Sequence, residues 1–597
     1  MITLKKKQNS LKQLPTFDYL IVGAGIAGLY TAYRLNQNFP NSKICILEAS
    51  KTIGGRLHTI HYDNLQFEGG GARFNTEQHR IMSLVEELKL IKNPITNTIN
   101  YMPINPKYDK ALETIFPTID DFIIYIKKYI NDNKNNTNKK TEHNITDETL
   151  INTTILEFAS RYCSKEYPTI KQYLIDIYPY YSELGVLNAL EGINLFSNEF
   201  SDKMQYYVLQ DGLQQITIKL YNILKSSSNV TIHTETPLDT ITKEMVCSSH
   251  IFKVTSGTGT GIENKNEDKI NNNIFATKNL VLAIPKPQLL KIKYLTQYKI
   301  HNNSKHNIYK KLLKNINSIQ TEPLYRIYAR YPPNPKTGKV WFDGFEKIST
   351  NLPIKYIIPI SFKKGLIMIS YTDSKFAKYW LNKVLDGSFE KTLNKQLKQL
   401  FPEVEIPKAK WYKHCHWEMG AGYWKPFSDS KKIMTEMIQP IEDENLYICG
   451  ENYSSHQAWC EGSLETSELV LKKLGSNAKL GSSSNEKIKK IKIIKLTKKH
   501  YRICARDFLN PAHHSGGAKK YKEYTLEEVS KHNTKSDAWI VIEGKVANIT
   551  KWIPKHPGGD IIMKGVGKDA THLFKAIGHD EYAKKMLNKY QIGILKK

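Results

Sequence analysis

Tyr19-Leu20-Ile21-Val22-Gly23-Ala24-Gly25-Ile26-Ala27-Gly28-Leu29 is the stretch that decides the fold. Its first four residues predict a buried strand, and Leu29, Ala32 and Leu35 predict a helix directly after it. Between them stand Gly23, Gly25 and Gly28, spaced as GxGxxG, with Ala27 before the last. Gly23 permits a tight turn, Gly25 lets a pyrophosphate approach the backbone, and Gly28 lets the helix lie close on the sheet. The helix N-terminus turns a partial positive charge toward the phosphates. A second strand, Lys43-Ile44-Cys45-Ile46-Leu47, ends at Glu48, 20 residues beyond Gly28, where a carboxylate can accept hydrogen bonds from an adenosine ribose. Strand, glycines, helix and acid together predict an α/β dinucleotide-binding fold.

Outward from this core come Gly54-Gly55-Arg56-Leu57-His58-Thr59 and Phe67-Glu68-Gly69-Gly70-Gly71-Ala72. Much later, Val230 to Ile241 precedes Leu280-Val281-Leu282-Ala283-Ile284-Pro285, and Leu446-Tyr447-Ile448-Cys449-Gly450-Glu451 precedes Glu461-Gly462-Ser463-Leu464-Glu465-Thr466. In this order the motifs resemble those of the flavin-containing amine oxidase superfamily, the monoamine and polyamine oxidases, over about residues 16 to 472. The resemblance implies FAD as cofactor. It implies FAD contacts at Gly23, Gly25, Ala27, Gly28, Glu48, Gly54, Gly55, Arg56, Gly70, Gly71, Ala72, Leu238, Gly450, Glu451, Gly462 and Ser463. Thr52 stands where the family usually has Arg, which removes one phosphate-side contact.

Amine oxidation moves a hydride equivalent from the carbon beside nitrogen to the flavin, so the protein's task is to orient a neutral amine over the ring. The resemblance places two catalytic aromatic side chains against the flavin, Tyr423 in Gly420-Ala421-Gly422-Tyr423 and Trp459 two residues before Glu461. Gly422 stands where mitochondrial members carry the Cys that bonds to flavin, so FAD is expected to be non-covalent. Leu324-Tyr325-Arg326-Ile327-Tyr328 puts Arg326 where many members have a catalytic Lys; a surface strand residue is the other reading of Arg326. An Arg holds charge and water but does not exchange a proton at accessible pH. His414-Cys415-His416 matches no known zinc spacing. Asp343, Asp373 and Glu418 are acids that could meet a polyamine or simply face solvent.

At the other end, His556-Pro557-Gly558-Gly559 is followed by His579. A b-type haem needs two imidazoles held on stiff loops, and no CxxCH motif for covalent attachment occurs. Ile561, Ile562, Met563, Val566, Leu573 and Phe574 form an apolar set between the two His. From Tyr524 to Leu595 the segment resembles cytochrome b5, which implies axial iron ligands at His556 and His579 and a haem b cofactor. The fold class expected is α/β: a Rossmann-like FAD-binding domain with a mixed α+β substrate domain, plus a small α+β cytochrome b5-like domain. By residue the FAD-binding segments are 1–100, 206–290 and 416–474, and the substrate-domain segments are 101–205, mainly helical, and 291–415, mainly β. A Lys-rich linker over 475–522 then joins the haem domain at 523–597.

The chain of 597 residues is long enough for roughly three or four domains, and 40% apolar residues can fill their cores. The formal charge of +28 could attract nucleic acid or anionic membrane. The lysines are scattered, however, with no nucleic-acid-binding motif, so no specific nucleic-acid binding is expected. Seven cysteines without a CxxC pair fit a reducing compartment. No apolar h-region follows Lys5-Lys6-Lys7, no run reaches the ~18 apolar residues of a membrane span, and the chain stops at Lys597 without an anchor. The expected setting is soluble and intracellular, in the cytoplasm, or a virion if the source is a large DNA virus. Asn131 to Glu148 and Ser256 to Asn273 are read as surface loops, and Gly475 to Lys522, with its run Lys487 to Lys499, as a tether. Tyr524 to Lys597 holds 13 Lys against 8 acids, a net of +5, so an acidic redox partner is expected.

Three functions remain open on the sequence. The leading one is oxidation of a small-molecule amine (monoamine, polyamine or amino acid) to an imine, with electrons passing to oxygen or to the tethered haem. The second is a porphyrinogen oxidase or desaturase sharing the glycine motifs. The third is a non-catalytic flavohaem protein with a structural role.

Overall fold

A computed structural model describes residues 14–95, 98–134, 145–199, 204–246, 249–256, 274–296, 303–476, 521–553, 556, 559–576 and 581–596. The tether from 477 to 520 and most of both predicted loops lie outside the described residues. Two compact units are present, the first chiefly the described residues up to Ser476 and the second chiefly those from Tyr521.

The opening stretch forms β1 (Thr16–Val22) and α1 (Ile26–Asn38), and the next strand is β2 (Ile44–Leu47). β1 lies parallel between β2 and Ile274–Leu282, and Val230–His233 extends the sheet beyond β2. Ser249–Ser256 and Leu238–Val246 add an antiparallel edge on the other side, and Leu446–Ile448 pairs in parallel with Leu280–Leu282. Leu20 and Ile21 are fully buried on opposite faces, as expected of a parallel strand covered on both sides. One face packs on α1, whose Leu29, Ala32 and Leu35 are all in the core as the sequence predicts. Gly28 is required for that packing, because a Cβ there would run into the carbonyl oxygen of Gly23.

The second sheet of this unit contains β3 (Ile319–Arg330), β4 (Leu366–Asp373) and β5 (Trp411–Trp424). Its order is β5, β3, β4, Tyr356–Ser361, Lys347–Ser349 and Ile99–Tyr101. The β3–β5 register shifts between Glu322 and Leu324, at Pro323, which has no N–H to give the ladder. The segment between Tyr108 and Phe196 is mainly helical and builds a core of its own against Tyr356.

In the second unit the strands are ordered Lys522–Tyr524, Gln591–Leu595, Lys545–Asn548, Asp537–Ile542 and Asn533–Thr534. Ile542 pairs with Lys545 across Glu543 and Gly544, both at positive φ (52° and 75°), the two-residue turn that suits a twisted hairpin. Thr525 and Glu528 form a capping box at the start of Leu526–Ser530. Among the described residues no helix is long and apolar enough to cross a membrane.

Candidate active site

Gly25 caps α1 without a side-chain hydrogen bond, and the first turn holds no acid, so no capping side chain masks the amide groups of the helix N-terminus. A Cβ on Gly25 would meet only the Cα of Gly55, at 4.0 Å, so the two glycines leave an open floor. Gly54 is tied below it, its N–H donating to Ala24 O at 2.9 Å. The carboxylate of Glu48 braces the same turn, accepting from Ala24 N at 2.7 Å and Ser50 N at 2.8 Å. Gly71 N donates to Arg56 O at 2.9 Å, which laces the two glycine motifs together. Ala72 follows, half-buried.

Arg56 donates to Glu451 Oε1 at 2.6 Å and to Gly420 O at 3.0 Å, so three distant motifs meet at one guanidinium. Gly450, at φ 131°, has open space where a Cβ would stand. Gly462 packs against Ser454 and His456 at the start of α2 (Cys460–Lys473), and Ser463 beside it is buried. Leu238 is half-buried at the head of its strand. Open glycines, an uncapped helix end and a paired Arg form a cleft that fits a dinucleotide.

Beyond this cleft, β3 carries Arg326 inward rather than to the surface. Its guanidinium donates to Glu68 O at 3.0 Å, to Gly70 O, and to Tyr371 Oη at 3.1 Å, and it stacks on the Tyr371 ring at 4.4 Å. Tyr423 and Trp459 share one core cluster, 2% and 9% exposed. Tyr423 donates to Glu183 Oε1 at 3.0 Å. Asp373 accepts from Tyr181 N and Ser182 N, both at 2.7 Å, and fixes the two residues that directly precede that Glu. Burial raises the pKa of both carboxyls; repulsion from Asp373 adds to the rise at Glu183, and repulsion from Glu322 to that at Asp373. Glu322 is buried too, with Oε2 lacking a hydrogen-bond partner. Asp343 pairs with Lys339 at 3.2 Å, and Glu418 is exposed.

A half-open cavity of about 670 Å³ is lined in part by Arg73, Tyr178, Tyr180, Tyr206, Lys347 and Tyr356, and Tyr180 meets edge-on the Tyr371 ring on which Arg326 stacks. Sequence reasoning missed Arg73, although it directly follows Gly69-Gly70-Gly71-Ala72. It missed Glu183 for a better reason, since 240 residues separate it from Tyr423 and no local pattern marks it. His414 Nδ1 lies 2.9 Å from Tyr325 Oη, and burial pushes His416 down to about 4.

In the second unit His556 is half-buried, its N–H donating to Ile553 O at 3.3 Å. His579 and the side chain of Ile561 lie outside the described residues. Of the apolar set, Val566 is in the core, and Ile562, Met563, Leu573 and Phe574 are half-buried against it, as side chains facing a flat apolar ligand would be.

Residues 525–596 match the family described as cytochrome b5-like heme/steroid binding domain. Over 73 residues the chain is 49% identical to cytochrome b5 of Oryza sativa subsp. japonica, covering 12% of this chain and 53% of that one. Over 74 residues it is 55% identical to an acyl-lipid (8-3)-desaturase of Physcomitrium patens, covering 12% of this chain and 15% of that one. This chain thus spans about half of the cytochrome b5 and a small part of the desaturase.

A double mutant of putrescine oxidase has the same fold at 15% identity, with a TM-score of 0.55 and 77% and 99% of the two chains covered. A chain assigned as a protoporphyrinogen oxidase from an Exiguobacterium species follows at 14%, with a TM-score of 0.53 and coverage of 77% and 98%. Residues 26–470, about three quarters of the sequence, match the flavin containing amine oxidoreductases. The chain therefore belongs to the flavin-containing amine oxidoreductase family, with FAD as the cofactor of its first unit and haem as that of its cytochrome b5-like domain.

Proposed function

We propose that this oxidoreductase acts on an amine that also carries a carboxylate, an amino acid, and converts it to the imine that water hydrolyses to the keto acid. The observation that carries this reading is Arg73. It lines the cavity, it cannot shed its charge, and no carboxylate pairs with it among the described residues. A substrate carboxylate would supply the missing anion in bidentate geometry.

FAD, when bound, accepts the hydride equivalent from the substrate carbon. The chain's own residues then have distinct tasks. Tyr423 and Trp459 flank the amine, and Glu183 keeps the Tyr423 ring in place through its hydroxyl. Arg326 holds the Glu68 and Gly70 carbonyls and keeps the flavin-side loop rigid. The tyrosines around the cavity exclude water, and burial holds the Tyr423 hydroxyl protonated. Oxygen could accept the electrons, or His556 and His579 would hold a haem able to take them one at a time; the +5 charge of that domain suits an acidic outside acceptor.

Anaerobic mixing of the holoprotein with a panel of amino acids, monoamines and diamines tests this by bleaching of the flavin. Amino acids should bleach it, and Arg73→Gln should lower their kcat/KM by roughly 10- to 100-fold, the range for a lost charge-assisted hydrogen bond. Bleaching only by amines without a carboxylate would refute the reading. A diamine is the second reading, favoured by the buried acids Glu183, Asp373 and Glu322 behind Tyr423 and by the fold shared with putrescine oxidase. Putrescine bleaching faster than any amino acid would select it.

A further inference from the structure

We propose that His456 is a positioning residue: its bond to Glu199 ties the loop that carries Trp459 to the support of Arg73, and the tie is tightest while His456 is charged. The role given to Arg73 rests on the amino-acid reading above.

Glu199 ends the helix Ala189–Asn198, where its N–H donates to Leu195 O at 2.8 Å. Its carbonyl oxygen accepts from Asn75 Nδ2 and from Tyr206 Oη, both at 2.9 Å. These donors belong to the support of Arg73: Asn75 stands two residues along the chain, and the Arg73 guanidinium carbon lies 4.6 Å from the Tyr206 ring centre. The Glu199 side chain, 5% exposed, reaches His456, whose Nδ1 lies 2.6 Å from Oε1.

His456 sits in the loop between Glu451 and Trp459. Its carbonyl oxygen accepts from Trp459 N at 3.4 Å, and a Cβ on Gly462 would come within 2.4 Å of the same oxygen. Ala458, directly before Trp459, has a φ of 67°, a left-handed backbone that a residue with a Cβ keeps only where its surroundings hold it. Glu451 Oε2 holds it from one side, accepting from Ala458 N at 3.1 Å. His456 holds it from the other. One buried residue, Glu199, thus joins the two groups that bracket the substrate, Arg73 at its carboxylate and Trp459 at its amine.

The charged groups facing His456 are all acids, Glu199, Glu465 and Glu461. Glu465 is engaged with Ser455, accepting from its N at 2.9 Å and its Oγ at 2.6 Å, and Glu461 pairs with Arg80 at 3.1 Å. Glu199 is the acid in contact, and its Oε2 is buried with no hydrogen-bond partner among the described residues. Burial pushes the His456 imidazole down, but the Glu199 bond and charge, with Glu465 and Glu461 adding to them, outweigh it and hold His456 above its ordinary 6.5. A hydrogen bond between ions is roughly twice as strong as one between neutral groups. The tie therefore weakens as pH rises through the raised value of His456, and on the acid side it weakens when Glu199 takes a proton.

The test is the rate of anaerobic flavin reduction in the full-length holoprotein, with the amino acid that bleaches it fastest, from about pH 6 to about pH 9.5, the span in which an imidazole titrates. Saturating substrate removes the ionisation of the free amine from this rate. The wild-type rate should fall roughly five- to tenfold across the series, the margin between a charged and a neutral hydrogen bond. The substrate dissociation constant should hardly move, because Arg73 keeps its charge throughout. His456→Lys should carry the low-pH rate to about pH 9, since an ammonium group still holds its proton there. His456→Gln should be slow at every pH, and Glu199→Gln should move the fall to lower pH, with bound flavin per chain reporting that each variant is folded. A wild-type rate flat with pH overturns the proposal, and so does a fall that stays at the same pH in His456→Gln or, should that variant lose its flavin, in Glu199→Gln. The same series with putrescine separates the two readings. A fall that follows His456 with putrescine while no amino acid bleaches the flavin overturns the amino-acid reading alone, and efficient amino-acid oxidation that ignores His456 overturns this proposal alone.

Discussion

Glu68 illustrates how much one residue near the cleft can hold. Its carbonyl oxygen accepts from Arg326 at 3.0 Å and from Tyr328 Oη at 2.7 Å, while its carboxyl accepts from Leu213 N at 2.7 Å and Thr59 Oγ1 at 3.0 Å. Burial pushes that carboxyl up to about 7 despite these bonds. Because the folded pKa lies above the ordinary value of 4.5, the folded state binds the proton more tightly than the unfolded one. The stability this contributes is complete below the ordinary value and is lost as pH rises through about 7. The full swing is at most ~3 kcal/mol. Glu68→Gln should flatten the fall in thermal midpoint between about pH 5 and about pH 8, the window set by that linkage. An unchanged slope in a pH series of melting curves would mean that Glu68 titrates elsewhere.

At the scale of elements, β1, the glycine turn and α1 could be read from sequence because each depends on neighbours within a few residues. Gly28 is the sharpest case: its missing Cβ is demanded by the Gly23 carbonyl one turn away. Gly28→Ala should separate the helix from the sheet and yield protein without flavin, readable as loss of visible absorbance with the haem band retained. The cavity was not readable in the same way. Arg73, Tyr180 and Lys347 come from three separated segments, and only the folded sheet order brings the lining of Ile99–Tyr101, Lys347–Ser349 and Tyr356–Ser361 side by side. The inward turn of Arg326 also depended on tertiary structure, since the alternation along β3 is interrupted by apolar and aromatic residues on both faces. Asp373 joins the end of β4 to Tyr181 and Ser182. Asp373→Asn retains one acceptor of two, so it should loosen Glu183 and Tyr423 and lower kcat more than flavin content, which turnover normalised to bound flavin would show.

Across the whole molecule, two cofactors sit on units with separate cores. His556→Ala should abolish the haem Soret band while substrate still bleaches the flavin at the wild-type rate. Loss of flavin bleaching in that variant would show that the two units depend on each other. Stopped-flow mixing of substrate with the intact protein then decides the electron route: haem reduction following flavin reduction supports transfer between them, and flavin reduction alone argues for oxygen as acceptor.

The ion pair between Arg56 and Glu451 spans 395 positions in the chain. Its second member is among the last residues of the first unit to leave the ribosome, as is the Leu446–Ile448 strand beside Leu280–Leu282. At ordinary rates of synthesis, the opening nucleotide turn waits roughly 20–90 s for its opposite wall. During that interval the growing chain has half a cofactor site, so the two walls can enclose a flavin only late in translation.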